Sequence, residues 1–478
     1  MASLAKNLID GQWVGDPTIE RRNPADPSQT VAVSPASTSG DIDAALSAAE
    51  QAQPAWAALT GPARGAVLLD AADLLRHRLP DVARELVREE GKTLTEASGE
   101  TRRAIDLLRF YGSLGWQSAG PTFPSSTPGT ANYSQRQPIG IAALITPWNF
   151  PIAIPTWKAA PALIAGNAVV LKPAELTPLT ANNIAAALVD AGLPPGVLNV
   201  VHGHGAVVGA ALASDPRVGA LSFTGSTRVG LTLHETLSAR RARVQLELGG
   251  KNGYLVLDDA DVASAAAIIT AGGFGLTGQA CTATSRVYCT PAIIDELVSA
   301  LAAHAAAYKP GDGMAEATKM GPVVSEAQLG TDLEAIQRAR SQGATVVAGG
   351  TAPDAQLLAP TILTDLAHDA DAVRDEIFGP VLTVLTVADL DEGIARINAS
   401  RYGLVAGICT GSLSAAYHFA NQVQVGVVKV NRPTTGLDLN VPFGGVKDSS
   451  TNTFREQGPH AVDFYTWTKT VYLGHDAP

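Results

Sequence analysis

Cysteine is almost missing from this chain: Cys281, Cys289 and Cys409 are the only three in 478 residues. So few thiols exclude a disulfide framework and point to a reducing compartment, with the cytoplasm expected. Uninterrupted apolar runs are missing too. The most apolar region, 139–170, is broken by Pro147, Asn149, Pro151, Pro155, Lys158, Pro161 and Asn167, which excludes a membrane span there. The opening MASLAKNLIDGQWVG lacks the basic start and apolar stretch of a secretory signal, so export is not expected. No run of Lys and Arg forms a basic stripe, and the net charge is −11. Nucleic acid and anionic membrane are therefore not expected partners. The nine histidines show no metal-ligand spacing; His202 and His204, flanking Gly203, read as turn residues, and no metal site is expected.

What is present is 46% apolar and 17% charged, the make-up of a compact enzyme too long for one hydrophobic core. The first 117 residues read as mostly helical. Ile42, Ala45, Leu46 and Ala49 share one helical face, Pro62 suits a first helical position, and Thr93 with Glu96 forms a capping-box pattern. A Pro/Ser/Thr/Gly-rich stretch at 120–130 reads as a loop, with Tyr133 to Arg136 as an exposed strand after it. Short apolar runs at 139–145, 168–171, 197–201, 219–223 and 243–248 then alternate with stretches of helical length. A second series follows at 253–257, 285–289, 343–347, 381–386, 404–409 and 427–430. This alternation predicts two α/β domains in series, each with a mainly parallel sheet, meeting near 248–252.

Several residues stand out chemically. Cys281 follows the glycine-rich segment Phe274 to Ala280 rather than lying in an apolar run, as Cys289 and Cys409 do. It is either a nucleophile presented on a loop or a small buried residue. Glu247, between Leu246 and Leu248, is a carboxylate whose burial raises its pKa and suits it to general-base work; the alternative is a salt bridge to Lys251. Asn149, in a loop stiffened by Pro147, Trp148, Phe150 and Pro151, offers an amide to an oxyanion or satisfies its own turn. Ser222 to Gly230 reads as strand, Gly/Ser turn and helix start, a phosphate-binding arrangement that is not the G-x-G-x-x-G fingerprint. Lys172 and Glu175 follow a strand end, where they hold a ribose or form an ordinary surface pair.

In order, PWNFP at 147–151, KPAE at 172–175, FTGST at 223–227, ELGGK at 247–251, GQAC at 278–281, EIFGP at 376–380 and PFGG at 442–445 resemble the aldehyde dehydrogenase superfamily. The spacings are similar too: 34 residues from Glu247 to Cys281 and 23 from Asn149 to Lys172. The resemblance implies an α/β fold with a Rossmann-like cofactor domain (1–117 and 138–248) and an α/β catalytic domain (249–445). It also implies a small β oligomerisation extension (118–137 and 463–474), through which members form homodimers or homotetramers. It implies oxidation of a small aldehyde with NAD or NADP, using Cys281 as nucleophile, Glu247 as base for the hydrolytic water and Asn149 as oxyanion donor. Cofactor contacts are implied for Thr146, Trp148, Lys172, Glu175, Gly205, Gly209, Phe223, Gly225, Ser226, Val229 and Leu248. Glu376 is placed at the nicotinamide ribose and Phe378 near the ring. Lys158 is either a proton-relay or a structural residue. Because Cys281, Glu247 and Asn149 are all present, neither an acyl-transferring relative without a hydrolytic base nor a non-catalytic descendant is expected.

The segment 431–437, VPFGGVKDSS and TFREQG resemble bacterial 2-oxoglutarate-semialdehyde (2,5-dioxovalerate) dehydrogenases. Succinate-semialdehyde dehydrogenases commonly carry substrate arginines where this chain has Trp157 and Gly275. Arg432 and Arg109 are then the expected carboxylate contacts, and a broad dehydrogenase of neutral or aromatic aldehydes is the alternative.

Overall fold

The computed structural model describes residues 2–117 and 120–474. Two seven-stranded sheets dominate it. In the first, Arg243–Glu247, Val218–Thr224, Ile141–Ile145, Ala168–Lys172 and Leu198–Val200 lie side by side and parallel. The strands Asn7–Ile9 and Gln12–Val14 extend it antiparallel. Ile141–Ile145 and Ala168–Lys172 are buried at every position, as strands covered on both faces must be. Alternate side chains divide between two cores. Ala142 and Leu144 pack with the helices Gly61–Glu90, Leu94–Ser113 and Ala153–Ile164. Ile141, Ala143 and Ile145 pack with Ser39–Ala58, Gly205–Ser214 and Thr227–Ala239 on the other face.

The second sheet runs Thr345–Ala348, Thr361–Thr364, Val381–Thr386, Thr284–Cys289, Asn252–Val256, Val405–Cys409 and Val427–Val430, with only the first strand antiparallel. A third sheet joins distant parts of the chain: Thr466–Gly474 pairs antiparallel with Thr130–Pro138 along its full length, and Thr122–Phe123 adds a short edge. Residues 118 and 119 of the expected extension lie outside the described residues.

The helical start needs correction. Residues 3–35 form strands, including a three-stranded sheet of Ser3–Leu4, Asp26–Pro35 and Pro17–Asn23. The hairpin Asn7–Ile9/Gln12–Val14 turns on Asp10-Gly11, whose φ values of 49° and 74° are those an Asp-Gly pair adopts readily. From residue 39 onward the helices form as the pattern indicates. Pro62 sits in the first turn of Gly61–Glu90, and Thr93 and Glu96 exchange both capping-box bonds. The strand Thr361–Thr364, four residues long, is an addition to the expected series.

Candidate active site

Parallel strands open at their carboxyl ends, and loops from both large sheets converge there. Cys281 arrives on one of them. After the helix Val262–Phe274 the chain takes three successive left-handed conformations at Leu276, Thr277 and Gly278, with φ of 56°, 58° and 67°. Gly278 must be glycine, because a Cβ there would lie 2.3 Å from the carbonyl oxygen of Gly379. The strained turn is pinned from outside. Leu276 N–H donates to Glu96, the Thr277 hydroxyl to the Gly321 carbonyl, and Val324 N–H to the Gln279 side chain. The Asn252 amide then holds the Cys281 carbonyl at 2.7 Å. Loop rigidity here comes from long-range bonds, not from the loop's own sequence.

Three cavities follow one another across the site, and two of them reach Cys281. One of about 650 Å³ lies over the carboxyl end of the first sheet. A second, about 290 Å³, continues from it, sharing Trp148 and Thr224. A third, about 400 Å³, enters from the opposite side. Cys281 is the one described residue lining both the second and the third. Its side chain is partly exposed to them, and burial, together with Glu376, Glu247 and Glu456, pushes its thiol pKa up. Burial and the surrounding carboxylates thus favour the thiol over the thiolate in the resting site.

Asn149 is buried beside the sulfur's cavity and held at both ends. Its carbonyl accepts from Lys92 Nζ at 2.8 Å, and its side-chain amide donates to the Gln279 carbonyl at 2.9 Å. An amide carries two N–H groups, so one orients the side chain while the other remains for a ligand. Glu247 ends its strand 2% exposed, just behind the cavities. Burial and the neighbouring Glu456 raise its pKa well above the carboxylate range, against the opposing pull of Lys158. Two long bonds, 3.4 Å from Gly445 N–H and 3.3 Å from the Ser450 hydroxyl, restrain it. Gly444 makes the close approach possible, since a Cβ there would lie 2.6 Å from the Glu247 carboxylate. The alternative salt bridge to Lys251 does not form. Lys251 is buried without a hydrogen-bond partner, and burial lowers its pKa to about 7.

The expected cofactor contacts divide cleanly. Thr146, Trp148, Lys172, Glu175, Gly205, Gly209, Phe223 and Val229 line the largest cavity. Gly225, Ser226, Leu248, Glu376 and Phe378 line the second, with Phe378 edge-on to Trp148 at 5.4 Å. The residues fit a dinucleotide on two counts. The helix Thr227–Ala239 starts at this cavity without a side-chain cap, leaving N-terminal N–H groups for a pyrophosphate, whereas the first N–H of Gly205–Ser214 is taken by the Glu175 carboxylate. The hydroxyls of Thr146 and Thr224 are buried without protein partners.

The aldehyde dehydrogenase family pattern covers residues 13–471. The chain is 46% identical to the alpha-ketoglutarate semialdehyde dehydrogenase of Haloferax volcanii over 99% of both chains. It is 42% identical to the 2,5-dioxopentanoate dehydrogenase of Saccharolobus solfataricus over 95% of each. The crystal structure of an NAD-dependent aldehyde dehydrogenase from Sinorhizobium meliloti superposes with a TM-score of 0.96 at 33% identity, over 100% of this chain and 96% of that one. This chain belongs to the aldehyde dehydrogenase family. It is an oxidoreductase acting on aldehydes, with the aldehyde dehydrogenase fold.

Two expected substrate contacts of this aldehyde dehydrogenase are elsewhere. Arg109 points from its helix into a surface ion pair with Asp73 at 2.6 Å. Arg432 is exposed and donates to the neighbouring Asn431 carbonyl. Neither lines the third cavity; Arg103, six residues before Arg109, does. The sequence reading also missed Glu456, which with Ser222 surrounds the buried Lys158 ammonium. Glu456 stands in the quoted TFREQG segment, but nothing in its neighbours signals that it reaches across the fold.

Proposed function

We propose that this enzyme oxidises 2-oxoglutarate semialdehyde to 2-oxoglutarate with NAD or NADP, through an acyl group carried on Cys281. The observation that carries this reading is the place of Cys281, between a cavity shaped for a dinucleotide and a separate one open to an aldehyde. The names of the Haloferax and Saccharolobus relatives support the substrate.

The Cys281 sulfur attacks the aldehyde carbon as its proton passes through water in the open cavity to solvent, because a thiol held up by burial is a poor nucleophile until deprotonated. The oxyanion is received by the free Asn149 N–H and the backbone N–H of Cys281, which has no hydrogen bond among the described residues. When bound, the nicotinamide cofactor supplies the hydride acceptor, and Glu376 and Phe378 would hold that end of it. Glu247 then removes a proton from the water that hydrolyses the thioester, its raised pKa suiting it to that exchange. Glu456, with one carboxylate oxygen free of partners, is the acceptor that stands behind Glu247, and the Lys158 ammonium holds it there.

Glu175 favours NAD over NADP. Burial pushes its carboxyl up, but Lys172, Gly205 N–H and His204 outweigh that and keep it ionised, so it repels a 2′-phosphate. The aromatic lining of the third cavity, Phe150, Trp157 and Phe443, favours the second reading, a broad dehydrogenase of neutral or aromatic aldehydes. A substrate panel with both cofactors at matched concentration separates the two; the acidic semialdehyde is expected to give the highest kcat/KM.

The extension built by Thr130–Pro138 and Thr466–Gly474 exposes Trp467, Tyr472 and Leu473, which supports assembly into a homodimer or homotetramer. The three free thiols support a reducing, cytoplasmic setting. Among the described residues no helix is long and apolar enough to cross a membrane.

A further inference from the structure

The third cavity is lined along one side by a single stripe of the helix Leu94–Ser113: Glu96, Gly99, Glu100 and Arg103. These positions recur at i, i+3, i+4 and i+7, so they share one face. The two glutamates are fully engaged by the protein. Glu100 accepts the N–H groups of Ile152 and Ala153 on one oxygen and Lys92 Nζ on the other. Glu96 caps its own helix with one oxygen and accepts from Leu276 N–H with the other.

Arg103 is different. Its two terminal nitrogens donate to neutral oxygens, the Leu437 carbonyl and the Gln457 side chain, and it forms no ion pair among the described residues. Asp438 and Asp106 act on it only from a distance, and burial lowers its pKa. A guanidinium has five N–H groups, so donors remain after these two bonds. Partly burying a cation against neutral acceptors alone is unfavourable unless an anion completes the site. There is room for one: a Cβ added at Gly99 or at Gly275, both lining the cavity, would meet nothing within 4 Å.

We propose that Arg103 binds the substrate's carboxylate, selecting aldehydes that end in an acidic group, such as a 2-oxo acid semialdehyde, over neutral aldehydes of the same length. This rests on the reading of the third cavity as the aldehyde site. The two bonds that Arg103 already makes orient its guanidinium, and the aromatic residues carry the substrate's carbon chain between it and Cys281.

The test compares wild type, Arg103→Met and Arg103→Lys on 2-oxoglutarate semialdehyde and on pentanal. Loss of a charge-assisted contact predicts a fall of about ten- to a hundred-fold in kcat/KM for Arg103→Met on the acidic aldehyde, mostly in KM. Pentanal turnover should change less than about threefold, which also reports that the variant is folded. Arg103→Lys, which keeps a positive charge, should recover part of the acidic preference. Equal losses on both aldehydes would make Arg103 a strut for the 435–437 loop and overturn the inference. An unchanged preference for the acidic aldehyde in Arg103→Met would overturn it too, while leaving the proposed substrate standing. A wild type that prefers pentanal would overturn both.

Discussion

The cavities on the two sides of Cys281 are built differently. The proposed cofactor side is framed by short contiguous segments at strand ends, Thr146–Asn149, Lys172–Glu175 and Phe223–Ser226, each with two or more residues on it, and is completed by faces of the helices Gly205–Ser214 and Thr227–Ala239. The proposed aldehyde side is made from a stripe of the helix Leu94–Ser113, the Phe150–Trp157 segment, the Gly275–Leu276 turn, the 435–437 loop and Phe443, parts far apart in the chain. A strand end fixes the direction of the residues that follow it, so neighbours in sequence become neighbours in the site. A helix face distributes its contacts every three or four residues, and its partner is chosen by packing. The difference teaches where to look for each property: the strand ends place the residues beside Cys281, and on the proposed reading the discontinuous wall selects the aldehyde.

Breaking the junction itself should have the largest effect. Cys281→Ala removes the sulfur that both cavities share, and aldehyde-dependent NAD(P)H formation should fall by at least about a thousandfold. Dinucleotide binding, followed by fluorescence quenching, should stay within about threefold, since the largest cavity lies away from the sulfur. Loss of both would show that the two sides are not separable.

A smaller effect is expected at the oxyanion. Asn149→Ala keeps the sulfur, and the backbone carbonyl that Lys92 holds, but removes the side-chain amide that the Gln279 carbonyl orients. The acylation rate, read from the single-turnover phase, should fall about 10²- to 10³-fold. An unaltered rate would assign the oxyanion to backbone donors alone.

On the cofactor side the expected change is smaller again. Glu175→Gln keeps an acceptor for Gly205 N–H while removing the charge. The ratio of kcat/KM for NADP over NAD should rise about tenfold, equivalent to about 1.4 kcal/mol. A ratio that stays put would place cofactor choice elsewhere in the cavity.

The same division governs what the sequence makes readable. Most parallel strands were legible as short apolar runs, unlike Thr361–Thr364 with a threonine at each end, and two of the helices because Pro62, Thr93 and Glu96 mark their starts. The strands of residues 3–35 were not, since most of their positions are exposed or only partly buried and they carry no long apolar run; the Asp10-Gly11 turn was the available signal. The thirteen expected cofactor contacts all line one of two cavities; most come from contiguous motifs, whereas Gly205 and Gly209 lie one turn apart on a helix. Arg109 and Arg432 failed because composition and loop position do not say which way an arginine faces. Arg103 becomes readable once Glu96, Glu100 and Arg103 are taken as one stripe opposite the Cys281 loop. Glu456 depends on a contact to Lys158 spanning nearly 300 residues, which no local pattern encodes.

The central claim, that Cys281 carries the acyl group and Glu247 releases it, is tested most directly by Glu247→Gln. Hydride transfer precedes hydrolysis, so the variant should produce a burst of about one NAD(P)H per active site and then stall. Intact-mass analysis of the stalled protein should show one acyl adduct, and peptide mapping should place it on Cys281. In the wild type, deacylation should be lost as pH falls through the raised pKa of Glu247, above the ordinary carboxylate range, because the base must be ionised to act. The variant should lack that limb. Unchanged steady-state turnover in Glu247→Gln, or an adduct on any residue other than Cys281, would contradict the account.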